Sequence, residues 1–346
     1  MRVLITGGAG FIGCNLAAHH LERGNDVILV DNLSRPRTQH NLNWLRCRAD
    51  HAGRSDKISF HQGDVRDFDG LRRIFELTGP DLVVHLASQV AVTKSVLNPR
   101  EDFEINALGT FNVLEAIRAQ ARPPAMIYAS TNKVYGGMED VAVVLDGARY
   151  RYRDFPNGIS EDRPVDPKSP YGCSKCAGDQ YVRDYARIYG LRTVVFRQST
   201  IYGPHQFGIE DQGWLAWLMI AVVTHRPITI YGDGRQVRDM LHVDDLIAAY
   251  DAAWEHMDAV AGQVFNIGGG MANTLTIWSE AGPLLESLAG HAIPVTYADW
   301  RPGDQRVFVS DNRKAMQMLG WAPKVGVREG ARQLWDWVVA NRELFA

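Results

Sequence analysis

A glycine-rich turn directly after the first apolar run constrains this chain more than any other feature. Residues 2–6 (RVLIT) have the pattern of a buried strand, and the turn after them reads Gly7-Gly-Ala-Gly10-Phe-Ile-Gly13 before a helical stretch. In such a turn the first glycines let the backbone approach a pyrophosphate, and the third lets a helix pack closely on the sheet. The next apolar run ends on Asp31, where a carboxylate can hydrogen-bond an adenosine ribose. The sequence therefore predicts a dinucleotide-binding βαβ unit.

The residue at the end of the second apolar run also bears on which dinucleotide is bound. A carboxylate at Asp31 would repel a 2′-phosphate, which favours NAD over NADP. Arg35 and Arg37 follow closely and keep NADP open as an alternative.

Charge and composition exclude several classes of function. The chain has 346 residues with 37 Lys+Arg against 40 Asp+Glu, so its net charge of −3 predicts no nucleic-acid partner. The longest apolar run, Trp214 to Val223, is about half of the ~20 residues that cross a bilayer, and no membrane partner is expected. Four cysteines in so long a chain make no disulfide framework, and we expect a cytoplasmic protein. We interpret Cys173 and Cys176 as residues whose side chains pack in a helix, and no metal site is expected.

Alternation of short apolar runs with helical stretches predicts the fold class. The runs that are β-branched or apolar on both faces, as in buried parallel strands, are 2–6, 27–31, 82–86, 126–130 and 193–197. The stretches with helical periodicity between them are 11–23, 68–78, 103–119 and 171–189. The pattern predicts an α/β fold with a doubly wound parallel (Rossmann) sheet and a smaller α+β C-terminal lobe.

The domain boundaries follow from where this alternation ends. We expect a dinucleotide-binding domain over 1–190, to which parts of 193–205 and 240–268 return, and a second lobe over 206–346. Helices are expected near 214–224, 243–256 and 329–341. Residues 47–57 and 137–170 are rich in Asp, Arg, Gly or Pro and are interpreted as loops.

Tyr171 and Lys175 form the second candidate constellation. They lie four residues apart at the start of a predicted helix, so their side chains share one face of it. An ammonium group beside a phenol lowers the phenol pKa from its ordinary value of about 10 towards neutral pH. Many helices contain such a pair by chance, and its weight here comes from its place downstream of the dinucleotide-binding unit.

A series of motifs in one order along the whole chain resembles the extended short-chain dehydrogenase/reductases, in their nucleotide-sugar epimerase/dehydratase branch. The segments that carry the resemblance are GGAGFIG (7–13), HLASQV (85–90), STNKVYG (130–136), SPYGCSK (169–175), FRQSTIYGP (196–204), GDGRQVRDMLHVDD (232–245) and NIGG (266–269). Membership would imply an enzyme with tightly bound NAD, a nucleotide-sugar substrate held by the second lobe, and a homodimer or higher homo-oligomer.

The resemblance also implies a role for individual residues. Tyr171 resembles the catalytic base, Thr131 the hydroxyl that hydrogen-bonds the reacting sugar oxygen, and Lys175 the group that holds the nicotinamide ribose. The implied cofactor-binding residues are Gly7, Gly10, Phe11, Ile12, Gly13, Asp31, Asn32, Ser34, Arg35, Asp64, Val65, Leu86, Ala87, Gln89, Asn106, Tyr171 and Lys175. Arg238 with Arg301 or Arg306 would grip a diphosphate, as guanidinium groups do. The implied substrate-binding residues are Asn132, Lys133, Gln198, Ser199, Gln212, Arg238, Arg301 and Arg306.

The residues after Thr131 narrow the activity within the branch. Dehydratases of this branch place an Asp-Glu pair there, and the chain has Asn132 and Lys133, which cannot replace those carboxylates. The segments STNKVYG, SPYGCSKCAGDQY and DQRVFVSD resemble the CDP-tyvelose epimerases, which implies inversion at C2 of CDP-paratose through a 2-keto sugar and a place in lipopolysaccharide O-antigen synthesis. A 4-epimerase, or a C2-acting enzyme on a UDP-, GDP- or dTDP-sugar, remains the alternative. A non-catalytic dinucleotide-binding protein is a more remote one.

Overall fold

The computed structural model describes residues 1–301 and 304–345, so Pro302 and Gly303 of the RPGDQR segment lie outside the described residues. The strands, in chain order, are β1 (Arg2–Thr6), β2 (Asp26–Asp31), β3 (Ile58–Gln62), β4 (Leu82–His85), β5 (Ala125–Thr131), β6 (Val143–Asp146), β7 (Arg149–Tyr152), β8 (Thr193–Gln198), β9 (Thr200–Tyr202), β10 (Thr229–Tyr231), β11 (Val237–His242), β12 (Val264–Ile267), β13 (Thr274–Thr276), β14 (Thr296–Ala298) and β15 (Val307–Phe308).

The helices are numbered in the same way. They are α1 (Phe11–Glu22), α2 (Thr38–His51), α3 (Phe68–Thr78), α4 (Val92–Leu97), α5 (Pro99–Phe103), α6 (Gly109–Arg118), α7 (Pro170–Tyr189), α8 (Trp214–Val223), α9 (Val243–Glu255), α10 (Met257–Val260), α11 (Ala281–Ala289), α12 (Arg313–Leu319) and α13 (Val327–Ala340). A single π-helical turn, Glu104–Leu108, joins α5 to α6.

The chain divides into two compact units, each assembled from three stretches. Unit 1 consists of Met1–Val134, Ser169–Arg197 and Ile247–Phe265. Unit 2 consists of Tyr135–Lys168, Gln198–Leu246 and Asn266–Ala346. Residues 135–168 therefore group with the later part of the chain, whereas the sequence placed them in the first domain.

Hydrogen bonds explain why this segment belongs to unit 2. The Tyr135 hydroxyl donates to the Asn266 side chain at 2.7 Å, and the Tyr152 hydroxyl donates to the Val307 carbonyl at 3.1 Å. These contacts join positions more than a hundred residues apart, so they leave no local trace in the sequence.

Unit 1 is built on a seven-stranded sheet in the order β12-β8-β5-β4-β1-β2-β3. Strand β1 pairs in parallel with β2 and β4, and β2–β3 and β4–β5 are parallel as well. The chain order reverses between β1 and β4, and such sheets bind ligands at the carboxyl ends of the strands beside the reversal. The predicted doubly wound α/β fold is confirmed, and the predicted strands are found within one or two residues of their expected bounds.

The core of unit 1 explains why its strands are apolar on both faces. Leu4, Val83 and Tyr128 of the sheet pack against Val113 of α6 and Val182 of α7. Each buried aliphatic side chain of this kind contributes about 1.5–3 kcal/mol of hydrophobic free energy. This burial holds the strand ends, and the loops that leave them, in fixed positions.

Unit 2 has smaller sheets and a helical core. Strands β13, β11 and β15 pair in that order with β9 also pairing to β11, β10 pairs with β14, and β6 and β7 form a hairpin. Helix α8 is apolar on nearly every face, and its Leu215 and Met219 are buried with Leu334 and Val338 of α13. An all-apolar helix of this length is a core helix.

Two loop predictions are wrong. Residues 47–51 form the last turn of α2, because Leu42, Leu45 and Ala49 lie buried on one face of that helix, and Ser55–Lys57 form a further short turn. Residues 137–170 contain the β6–β7 hairpin. Its two-residue loop is Gly147-Ala148, and a glycine with positive φ (60°) at the first loop position is a common hairpin signal that the sequence carried.

Candidate active site

The glycine turn after β1 is closed so tightly that side chains do not fit in it. Gly7 has a left-handed backbone (φ +69°), and a Cβ there would lie 2.8 Å from the Ala87 nitrogen in the segment after β4. A Cβ on Gly13 would lie 2.3 Å from the Gly7 carbonyl oxygen. Glycine is therefore required at both positions, and the carboxyl ends of β1 and β4 come together here.

Gly10 leaves open the space that a pyrophosphate would need. A Cβ on Gly10 would have the Gly7 oxygen at 3.1 Å as its one neighbour within 4 Å among the described atoms. Gly10 also immediately precedes α1, whose first N–H groups point towards this opening and favour an anion. The turn thus fits the diphosphate of a dinucleotide, with Phe11, Ile12 and Gly13 as the first helical residues.

The end of β2 presents a buried carboxylate. Asp31 accepts hydrogen bonds from the backbone N–H groups of Ala9 at 3.1 Å and Leu33 at 2.8 Å, and its burial raises its pKa. These bonds fix the carboxylate beside the glycine turn, where a ribose would lie. Ser34 and Arg35 follow in the same segment, and burial lowers the pKa of Arg35.

Asn32 and Asp64 are brought together by a direct hydrogen bond. The Asn32 amide donates to the Asp64 carboxylate at 2.8 Å, and Arg66 donates to the same carboxylate at 2.7 Å. Arg66 accounts for most of the lowering of the Asp64 pKa to about 2. Sequence reasoning missed Arg66, although its place two residues after Asp64 was visible. Val65 is buried and its carbonyl accepts from Asn112.

The segment after β4 is held by a buried amide network. The Asn106 side chain, on the π-helical turn, accepts from the Gln89 N–H at 2.9 Å and donates to the Gln89 carbonyl at 3.0 Å. The Gln89 side chain turns back to the Ala91 backbone and to Asp102. These two predicted cofactor residues therefore shape the segment that carries Leu86 and Ala87.

Thr131, Tyr171 and Lys175 all lie in unit 1, on the end of β5 and the first turns of α7. Helix α7 begins here because the Ser169 hydroxyl accepts from the Gly172 N–H at 3.1 Å and Pro170 occupies its first position. Thr131 lies close enough to the Tyr171 phenol to act on its pKa, which it lowers. The predicted catalytic residues are thus neighbours, and all three are buried.

The pKa values of this pair differ from the sequence expectation. Burial raises the pKa of Tyr171 to about 12, where the sequence predicted a lowered value. Burial also lowers the pKa of Lys175 to about 7, and its ammonium lies 4.4 Å from the centre of the Tyr128 ring. The expectation was wrong, because desolvation dominates the pKa of both groups and Lys175 is not among the groups that act on the phenol.

Asn132 and Lys133 act on Thr131 in different ways. The Thr131 hydroxyl lies 3.3 Å from the Asn132 side-chain oxygen, and it accepts from the Lys133 backbone N–H at 3.2 Å. Asn132 is buried and Lys133 is half-buried. Both predicted substrate residues therefore lie beside the hydroxyl of Thr131, a predicted catalytic residue.

Unit 2 carries the predicted diphosphate-binding arginines, and each one has partners. Arg238, nearly buried on β11, donates to the Asp304 carboxylate at 2.6 Å. Arg301 lies 4.0 Å from the centre of the Tyr231 ring and 3.3 Å from the Asp211 carboxylate. Sequence reasoning found the arginines but not these partners.

Arg306 is the most exposed of the three arginines. Its guanidinium lies 5.3 Å from the centre of the Tyr150 ring and 5.7 Å from that of Trp300. Contacts at this range stabilise a cation while leaving its N–H groups open to water or a ligand. The pair of aromatic rings was not predicted.

The remaining predicted substrate residues of unit 2 are known from their burial or from their contacts within the protein. Ser199 donates to the buried carboxylate of Asp239, whose pKa is raised by burial. Gln198 is buried at the end of β8, and the Gln212 backbone bonds to Ile209 in a tight turn. Ser199 therefore has a structural contact in addition to its predicted role.

Two further observations concern other kinds of site. In residues 1–301 and 304–345, no group of His, Cys, Asp and Glu could hold a metal ion. In the same residues, no helix is long and apolar enough to span a bilayer. Cys14, Cys47, Cys173 and Cys176 are free thiols.

Comparison with known proteins agrees with this geometry. Residues 3–268 match the family described as "NAD dependent epimerase/dehydratase family". The CDP-paratose 2-epimerase of Salmonella typhi is 44% identical over 342 residues, covering 97% of this chain and 99% of that protein.

Solved structures give the same result. The UDP-glucose 4-epimerase of Thermotoga maritima, solved with UDP-glucose, has a TM-score of 0.82 at 32% identity, covering 97% of this chain and 98% of that one. The UDP-glucose 4-epimerase of Thermus thermophilus, solved with NAD, has a TM-score of 0.80 at 34% identity with the same coverage.

The chain belongs to the NAD-dependent epimerase/dehydratase family. The predicted enzyme class, a nucleotide-sugar epimerase with NAD as its cofactor, is confirmed.

Proposed function

We propose that this enzyme inverts C2 of CDP-paratose to give CDP-tyvelose through a transient 2-keto sugar. The observation that carries the proposal is the 44% identity to a CDP-paratose 2-epimerase over nearly the full length of both chains. It is supported by Asn132 and Lys133, which stand beside Thr131 where the dehydratases carry carboxylates. An O-antigen sugar nucleotide would be the product.

Tyr171 takes the proton of the sugar 2-hydroxyl in this proposal. When bound, NAD supplies the hydride acceptor and a positive charge. Tyr171 and Thr131 would hold the sugar oxygen between them, and Thr131 acts to lower the pKa of the phenol. A buried phenol with its pKa raised to about 12 needs nearby positive charge to act at neutral pH. Lys175 contributes that charge when it is protonated.

The residues that hold the cofactor are those of the glycine turn and its surroundings. Gly7, Gly10 and Gly13 would hold the pyrophosphate, and Asp31 would hold the ribose through the oxygen edge left beside its two backbone bonds. Asn32 and Asp64 would border the adenine. The steric argument at Gly7 and Gly13, and the open space at Gly10, support this assignment.

Arg238 would bind the substrate diphosphate in exchange for part of its bond to Asp304. A guanidinium forms charge-assisted bonds with phosphate as it does with carboxylate, so the two ligands compete for one group. Arg301 and Arg306 would contribute further charge, and Gln198, Ser199 and Gln212 would contact the sugar or base.

A second candidate is 4-epimerisation of a UDP-sugar. The observation in its favour is the match to two UDP-glucose 4-epimerases with TM-scores of 0.80 or above. It would use the same tyrosine and threonine, with the sugar shifted so that another carbon reacts.

Proton NMR of CDP-paratose with the purified enzyme, in D2O and without added NAD, tests the proposal. Inversion at C2 with the C2 hydrogen retained as protium is expected, because the hydride that leaves the sugar returns to it. UDP-glucose is the parallel sample, and inversion at its C4 alone would replace the first candidate by the second. Turnover of neither sugar, with NAD released on denaturation, would reject both substrates and keep the enzyme class.

A homodimer is the assembly we propose. Apolar side chains lie exposed on neighbouring helices of unit 1: Phe103, Leu108, Tyr181 and Ile188. Such clusters commonly mark protein interfaces. Light scattering should show a dimer that Ile188→Asp converts to a monomer, whereas Leu77→Asp, at an exposed leucine of α3, should leave it dimeric. A monomeric wild-type protein would refute the proposed dimer.

The compartment we propose is the cytoplasm. The free cysteines support a reducing compartment of this kind.

A further inference from the structure

Asp102 is a completely buried carboxylate, and it has no part in the proposed binding of cofactor or substrate. It lies on α5, just before the π-helical turn. The Ser174 hydroxyl donates to it at 2.5 Å, the Gln89 amide at 2.8 Å and the Asn106 amide at 3.1 Å. Each of these groups donates, which is the pattern that an ionised carboxylate accepts.

These bonds tie three elements of unit 1 together. Gln89 belongs to the segment after β4, Asn106 to the π-helical turn, and Ser174 to α7. Ser174 stands between Tyr171 and Lys175 in the sequence, so its hydroxyl fixes the turn of helix that carries both. A buried network with every member bonded holds one arrangement of its side chains.

The charges around Lys175 give Asp102 a second effect. Asp102 and Asp179 both act to raise the pKa of Lys175 against the lowering caused by burial. Asp179 is already paired with Arg197 at 2.8 Å and bonded by Ser130. The Tyr128 ring faces the lysine from β5, and the buried His85 ring of β4 stacks on Tyr128 with the ring centres 5.7 Å apart.

We propose that Asp102 is a positioning residue for the Tyr171–Lys175 pair: it fixes their helical turn through Ser174, and its charge balances the buried Lys175 ammonium. This inference rests on the proposed epimerase function for its kinetic part only. A buried charge is costly unless another charge or several hydrogen bonds compensate it. The charge of Asp102 is compensated by its three hydrogen-bond donors, and the charge of Lys175 is compensated by Asp102.

Asp102→Asn tests the charge while keeping the size of the side chain. The chain has seven lysines, so NMR of protein labelled at lysine Cε can follow Lys175, assigned by its loss in Lys175→Arg. In the wild-type protein we expect a midpoint at about 7. In Asp102→Asn we expect it to fall by roughly one pH unit, towards the values of buried lysines that lack a countercharge.

Glu101→Gln is the matched control, since Glu101 is the preceding residue and its carboxylate lies 3.6 Å from Lys94 near the surface. It should leave the Lys175 midpoint in place. A folded Asp102→Asn protein with the wild-type midpoint would overturn the proposal. Should that variant fail to fold, the wild-type titration still decides, because a Lys175 that stays neutral down to about pH 5 would show that no countercharge acts on it.

Kinetics separate positioning from a purely structural role. Asp102→Asn should lower kcat about tenfold, change KM much less, and move the alkaline limb of the kcat profile to lower pH. Ser174→Ala, which keeps the carboxylate, should lower kcat without moving that limb. Equal losses in kcat and unchanged pH profiles in both variants would reject the charge effect. The NMR titration needs no substrate, so failure of the proposed function and failure of this inference can be told apart.

Discussion

The buried carboxylates near Tyr171 in unit 1 and two of the proposed binding arginines in unit 2, Arg301 and Arg306, are held in opposite ways. In unit 1 the carboxylates near Tyr171 are buried and hydrogen-bonded: Asp102 by three donors, and Asp179 by Arg197 and Ser130. In unit 2 Arg301 is partly exposed and pairs with carboxylates of a nearby turn, and Arg306 lies exposed between aromatic rings. In the proposed function, the catalytic side chains are therefore fixed in unit 1, whereas Arg301 and Arg306 of unit 2 are held by partners that a ligand can replace.

The difference fits the two tasks that a nucleotide-sugar epimerase must perform. Proton transfer depends on donor and acceptor positions to within a few tenths of an ångström, which a buried network supplies. Binding a diphosphate depends on charge that a ligand can reach and that exchanges one anionic partner for another.

The largest effect expected is that of Tyr171→Phe. Because the variant keeps the ring but cannot move a proton, kcat should fall by about 10³-fold while purified protein still carries NAD. Turnover by NMR and cofactor absorbance after denaturation measure the two quantities. Tyr189→Phe, at an exposed tyrosine of the same helix, is the control and should keep wild-type kcat. Turnover near the wild-type rate in Tyr171→Phe would refute the role of Tyr171 in proton transfer.

A smaller effect, in KM rather than kcat, is expected from the arginines of unit 2. Arg238→Gln should raise KM by about 10²-fold, because a nearly buried guanidinium has its side chain already placed. Arg306→Gln should raise KM by about tenfold or less, since its side chain is exposed and must be ordered on binding. Substrate saturation curves measure both. The reverse order, or a loss confined to kcat, would contradict the division of tasks between the units.

The smallest effect expected is on stability in acid. Burial lowers the pKa of His85 to about 3, and its ring is bonded to Thr6 and Thr110. The unfolded chain binds a proton near pH 6.5 and the folded one does not, so this histidine favours folding above that pH and its contribution is lost as the pH falls.

Urea unfolding at about pH 7 and about pH 4.5 measures this loss. From about pH 7 to about pH 4.5, the free energy of unfolding should fall by about 1–2 kcal/mol more in the wild-type protein than in His85→Gln. His291→Gln, at an exposed histidine of unit 2, should match the wild-type drop. Equal drops in all three proteins would show that His85 does not bear on acid stability.

The sequence predicted the parts of the molecule that depend on short-range patterns. The β1–turn–α1 unit, Asp31 at the end of β2, and Tyr171 with Lys175 on α7 are all specified within a few residues. Strand β3 (Ile58–Gln62) was missed because only alternate residues of this edge strand are apolar, and it follows a polar stretch.

Features made by distant partners could not be read from the sequence. Asp102 sits in a polar stretch, PREDFE, where a carboxylate is typical of a solvated helix face, and its burial depends on Gln89 and Ser174. The raised pKa of Tyr171 depends on desolvation, which the spacing of two residues does not report. Likewise Asp304 and Arg238 pair across 66 positions.

With the role proposed for Arg238 in binding the diphosphate, the Arg238–Asp304 pair also bears on product release. Epimers differ only in the configuration of one carbon. The product would therefore bind through the same diphosphate as the substrate, and it would dissociate no more easily than the substrate does. A carboxylate 2.6 Å from the guanidinium can return to it as the diphosphate departs, so the cation is not left bare in a nearly buried position. In that role, the carboxylate that competes with the diphosphate would ease dissociation of the product and favour turnover over tight retention.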